Sequence, residues 1–142
     1  VRLTVVDERV PSAPRAAEDV LSNDVVALVQ NRLARNGVRV DAAGDAELHA
    51  AIYDYRYEWH RRGVFVDYTA EAFARVRLTF TQHATAQWGQ LVSGHAKQEA
   101  RGWEPVVVVA DQLERALDDA MRDAHERGLF TAVANAPSVP HD

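Results

Sequence analysis

The side chains weighed for chemistry in this 142-residue chain are six histidines, the adjacent carboxylates Asp7-Glu8 and four serines. His49, His60, His83, His95, His125 and His141 offer imidazole nitrogens to a metal. No two of them stand in an HxH, HxxxH or HExxH spacing, which would bring both rings to one side of a strand or helix. They read as scattered surface histidines, so no metal is expected. Asp7-Glu8 sit where an enzyme places an acid and a base, but no partner acid can be named, and a turn or capping role accounts for them. Ser12, Ser22, Ser93 and Ser138 have no neighbouring base and no GxSxG elbow. The chain has no cysteine, which removes thiolate ligands, disulfides and a cysteine nucleophile. Neither GxGxxG nor GxxxxGK[ST] occurs, so no phosphate loop is present. No catalytic residue and no cofactor follow from these patterns, and the chain reads as a non-enzyme.

One constellation resists a purely structural account: Tyr53, Tyr55, Tyr57 and Trp59 together with Arg75 and Arg77. If their two strands pair about a centre near Phe65, Tyr55 faces Arg75 and Tyr53 faces Arg77. Each pair would be a cation–π contact, worth about 0.5–1 kcal/mol when exposed. The rings and guanidiniums would then form an interaction surface, since tyrosine, tryptophan and arginine dominate interface hot spots. The competing reading places a β-bulge at Ile52-Tyr53, which turns the rings into the core.

These residues need elements to hold them. Ten of the eleven aromatics lie between Tyr53 and Trp103, which predicts a central sheet with helical flanks. Val1–Val6 reads as a strand, and Pro11, Ser12 and Pro14 predict a loop to about Leu21. A helix follows over Asn23–Asn36, with Ser22 as its N-cap and Asn36-Gly37 as its end. Its apolar stripe is Val25, Val26, Leu28, Val29 and Leu33; Gln30, Asn31, Arg32 and Arg35 form the wet side. A second strand starts near Ala46 with Leu48, Ala50 and Ile52 on one face, and a connection runs from His60 to about Thr69. The third strand, Glu71–Gln82, alternates cleanly, with Ala72, Ala74, Val76, Leu78 and Phe80 inward. A connection over His83–Ala86 leads to a fourth strand, Gln87–Glu99, whose inner set is Trp88, Val92 and Ala96.

The last large element is a helix over Pro105–Arg127, with Val106, Val109, Ala110, Leu113, Leu117, Ala120, Met121 and Ala124 on one face. Asp111–Arg115, Asp118–Arg122 and Asp123–Arg127 are acid-before-base pairs four apart. The expected fold is α+β, in the order β-α-β-β-β-α, a mostly antiparallel sheet with two helices on one face. Residues 1–133 form one domain in this reading, and 134–142 a tail.

Composition fits that picture. Hydrophobic residues make up 47% and charged residues 26%, enough for a core. A net charge of −5 weighs against nucleic acid as a partner, because phosphate contacts need a basic surface. No apolar run approaches the ~18–20 residues that cross a bilayer.

The opening Leu3-Thr4-Val5-Val6-Asp7-Glu8-Arg9, the helix end Arg32-Leu33-Ala34-Arg35-Asn36-Gly37-Val38 and the late amphipathic helix resemble the YajG-type lipoproteins. The likeness covers nearly the whole chain in element order. It implies a protein of the Gram-negative envelope, at the outer membrane and facing the periplasm, with no enzyme activity and no catalytic residues to carry over. It also implies a signal peptide and a lipidated cysteine. This chain starts at Val1 without cysteine, so that anchor is expected upstream. The element order is similar, too, to small accessory domains of periplasmic assembly machines. The expected function is a protein-interaction or assembly accessory module that binds a protein partner, or a second copy, through the open sheet face. The alternative is a carrier that holds a lipid or other apolar ligand between helices and sheet. In that case Ala72, Ala74, Ala96, Ala120 and Ala124 leave the room for it.

Overall fold

The computed structural model describes residues 1–9, 24–62, 67–101 and 105–136. Its elements are β1 (Arg2–Asp7), α1 (Val25–Arg35), β2 (Ala46–Arg62), β3 (Asp67–Gln82), β4 (Thr85–Arg101), α2 (Pro105–Glu126) and α3 (Leu129–Ala134). The four strands form one sheet in the order β1-β2-β3-β4. β1 runs parallel to β2, while β2–β3 and β3–β4 are antiparallel. The sheet is therefore mixed. A parallel neighbour needs a crossover, and the α1 segment supplies it.

Each element follows from local chemistry. α1 ends in a Schellman motif: Gly37 takes φ +91°, its N–H reaches Ala34 O, and the Val38 N–H reaches Leu33 O. Val38 and Leu33 are both buried, which is the apolar contact that accompanies this cap. At the other end Asp24 stands at the N-cap without a side-chain cap bond. The expected Ser22 cap and the loop before it lie outside the described residues. β3 and β4 are joined by His83 and Ala84, both at positive φ, the backbone shape that matches the twist of a two-residue hairpin. β4 thus starts at Thr85, earlier than its apolar pattern indicated.

The core lies between the helices and one sheet face. Val25, Val29 and Leu33 of α1 and Val109, Leu113, Leu117 and Ala120 of α2 pack against the sheet there. From the strands come Leu48, Ala50 and Ile52, Ala72 through Phe80 at alternate positions, and Val92. The layers meet most closely at Gly94: a Cβ there would overlap the Ala116 carbonyl oxygen and the Ala120 amide nitrogen. At that point the inward alanines bring α2 down onto the strand instead of leaving a ligand chamber. α2 also covers the outer edge of β4, since the Ser93 and His95 N–H groups donate to the Asp123 and Asp119 carboxylates at 3.2 and 3.0 Å. Edge-strand donors capped in this way are withheld from pairing with another chain.

Several expectations need correction. β2 continues to Arg62 and β3 begins at Asp67, so most of the expected His60–Thr69 connection is strand. The short α3 was not foreseen; its Leu129 and Phe130 are buried after Gly128 turns the chain at φ +92°. Arg32 is not on the wet side. It is buried between α1 and α2, where it donates to Asp118 Oδ1 at 2.6 Å and approaches Glu114 at 3.7 Å. Asp118 serves that contact between helices, and Arg122 pairs with Asp119 instead. The pairs Asp111–Arg115 and Asp123–Arg127 form as their spacing requires.

Candidate functional site

The face of the sheet away from the helices carries the candidate site, and a β-bulge decides which residues reach it. The β2–β3 register passes from Ile52↔Val76 to Asp54↔Arg75, leaving Tyr53 unpaired. Side chains alternate with period two, so one extra residue exchanges the faces of everything beyond it. Tyr55, Tyr57 and Trp59 therefore oppose Ala74, Ala72 and Ala70. Small residues on β3 make room for large rings on β2.

This corrects the expected ring-and-guanidinium surface. Tyr55 is only 2% exposed and joins the core, while Tyr57 and Trp59 pack partly buried against it. Burial, reinforced by Glu114, pushes the Tyr55 hydroxyl far above its ordinary pKa, which marks it as a dry core group. Trp59 meets Tyr68 edge to face at 4.2 Å. Tyr55 faces Ala74, not Arg75, and Arg77 stands opposite Ala51, not Tyr53. The Phe65 centre lies outside the described residues. Of the six, Tyr53 (47% exposed), Arg75 and Arg77 remain on the open face. Among the described residues neither arginine has an ion pair; Asp54, opposite Arg75, is held by Arg56, and Arg77 stands opposite Ala51.

The exchange of faces also delivers Asp54, Arg56, Glu58 and His60 to the open side, where they meet residues of β3 and β4. Arg56 donates to Asp54 at 3.1 Å, pairs with Glu58 Oε1 and stacks over the Phe73 ring at 4.2 Å. Phe73 lies 5.0 Å from the His95 ring. His95 Nε2 is 2.5 Å from Glu71 Oε2, and His60 Nε2 is 3.2 Å from Glu71 Oε1 and 3.4 Å from Glu58 Oε2. Hydrogen bonding to His95, then to His60, outweighs burial and holds the Glu71 carboxyl below its usual range. Asp54, Arg56, Phe73, Arg75, Ser93 and His95 line a shallow hollow of about 260 Å³ beside this network.

Sequence spacing could not find this cluster. The histidines read as scattered are 35 positions apart in His60 and His95, yet both reach Glu71, which lies on the strand between theirs. The usable signal was the alternation of Asp54, Arg56, Glu58 and His60 once a bulge is placed at Tyr53.

No family model matches the chain, and no curated protein matches it. Among solved structures, rare lipoprotein B from Shewanella oneidensis is similar at a TM-score of 0.59 with 14% identity, over 92% of this chain and 98% of that one. A minor lipoprotein from Acinetobacter baumannii reaches a TM-score of 0.45 with 13% identity, over 97% of each chain. At such identities the likeness is one of fold, and it is the first comparison that carries it. The chain is folded like a lipoprotein of a Gram-negative bacterium.

Proposed function

We propose that this chain is the globular domain of an envelope lipoprotein without enzymatic activity, which docks an acidic protein partner on the open sheet face through Tyr53, Arg75 and Arg77. The observation that carries the reading is the fold match to rare lipoprotein B, which spans nearly the full length of both chains. The YajG-type motifs around Leu3–Arg9 and Arg32–Val38 support the same class. An N-terminal lipid anchor in the outer membrane, with the domain facing the periplasm, completes it.

Two guanidiniums without ion pairs among the described residues, beside a half-exposed tyrosine, suit carboxylates on the partner. The membrane assignment is tested by feeding labelled fatty acid to cells that make the full precursor. Label on the protein is expected, and its absence overturns the lipoprotein reading. A photo-crosslinking residue at Arg77, compared with one at Arg115 on α2, tests the surface. A discrete protein adduct at position 77 alone is expected, and Arg75→Glu should abolish it. Equal adducts at both positions, or none, overturn the docking site.

A further inference from the structure

We propose that Glu58, His60 and Glu71 form a binding site for one divalent transition-metal ion of the zinc type on the open sheet face, with Arg56 and His95 as positioning residues. This rests on separate observations from the docking reading and involves none of its three residues.

The first argument is geometric. Glu58 Oε, His60 Nε2 and Glu71 Oε all lie within 4.8 Å of one another. Two of the separations are resolved: 3.2 Å from His60 Nε2 to Glu71 and 3.4 Å from His60 Nε2 to Glu58. A tetrahedral ion with metal–ligand distances of about 2.0–2.1 Å holds its ligand atoms about 3.3 Å apart. Those two separations match two edges of such a site, the third lies under the 4.8 Å bound, and the fourth position is left to water.

The second argument concerns which oxygens are committed. Arg56 takes Glu58 Oε1, leaving Oε2 toward His60; His95 takes Glu71 Oε2, leaving Oε1 toward His60. Each carboxylate is anchored by one oxygen and presents the other to the same imidazole nitrogen. Hydrogen-bonded partners that orient ligating carboxylates in this manner are typical of metal sites.

The third argument is electrostatic. Glu58 and Glu71 are direct cross-strand partners, a like-charge pairing that destabilises a sheet and that a shared cation would offset further than Arg56 on one side alone. One His60 Nε2–H cannot point at both oxygens, whereas a metal ion bound to Nε2 can be shared by both. An imidazole in the set favours zinc-like ions over magnesium or calcium, which prefer oxygen alone.

The test is calorimetric titration of the 142-residue chain with Zn²⁺, with Co²⁺ visible absorption as a report on tetrahedral geometry. One ion per chain is expected, and excess Mg²⁺ should not displace it. Glu71→Gln and His60→Ala should each weaken binding by about tenfold or more, and His95→Ala by about tenfold with stoichiometry kept. His83→Ala, outside the cluster, should leave binding unchanged. Circular dichroism checks that the variants fold; His60 is half-exposed, so its variant decides the matter even if Glu71→Gln disturbs the sheet. Absence of saturable binding, binding indifferent to both ligand variants, or equal competition by Mg²⁺ would each overturn the proposal.

Discussion

The two faces of the sheet are made from the same three long strands and obey opposite rules. On the covered face, alternate residues from Leu48 to Ile52 and from Ala70 to Phe80 exclude water, and shape decides what fits. On the open face, Arg56, Glu58, His60, Glu71 and His95 keep their charges and polar atoms engaged with one another beside solvent. The difference teaches that burial provides stability while exposure leaves groups free to meet a ligand. The bulge at Tyr53 settles which half of β2 does which.

The sharpest way to break the comparison is to put one charge on each side of the bulge. Tyr55→Glu buries an unpaired carboxylate beneath the helices, and a loss of more than about 4 kcal/mol is expected in urea unfolding. Tyr53→Glu, on the exposed bulge residue, should stay within about 0.5 kcal/mol of the parent. Equal effects would mean that the faces are not exchanged.

A glycine pair makes the same contrast by volume. Gly94→Ala drives a methyl into the α2 backbone and should cost about 3 kcal/mol. Gly89→Ala has only ordinary contacts near 3.9 Å and should be neutral or gain about 0.5 kcal/mol from reduced backbone freedom.

Two pH experiments sharpen the contrast further. Burial raises the Tyr55 pKa in the folded chain, so its hydroxyl stays neutral there while the unfolded chain ionises above about pH 10. The stability this group contributes is fully present below that pH and declines as pH rises toward the folded value. At pH 11 Tyr55→Phe should recover about 1 kcal/mol of the alkaline loss, read from unfolding midpoints. The Glu71 pKa is lowered, so its contribution is present above about pH 4.3 and fades as pH falls through the folded value. Glu71→Gln should flatten the stability profile between about pH 5 and pH 3 by less than about 1 kcal/mol, as suits a group near solvent.

Much of the architecture was legible in the residues. The stripe Val25–Leu33, the Asn36-Gly37 stop and the alternation from Ala72 to Phe80 each state a period, and period depends on chemistry a few residues apart. The short α3 was missed because six residues are too few to show one. Arg32 was misplaced because its helical position is polar by pattern, while its carboxylate partner is 86 residues away on α2. The site was least legible. Tyr53 to Trp59 fit either face until the register was known, and the His60–Glu71–His95 cluster needs three strands at once.

The amino acids alone determined the long helices, the order of the strands and most of the apolar stripes, though not α3 or the full reach of β2 and β3, because those preferences act over a few bonds. Tertiary structure alone decided that Tyr55 is dry and that Glu71 stands between two imidazoles. Both facts depend on cross-strand register, and one unpaired residue inverts every face beyond it.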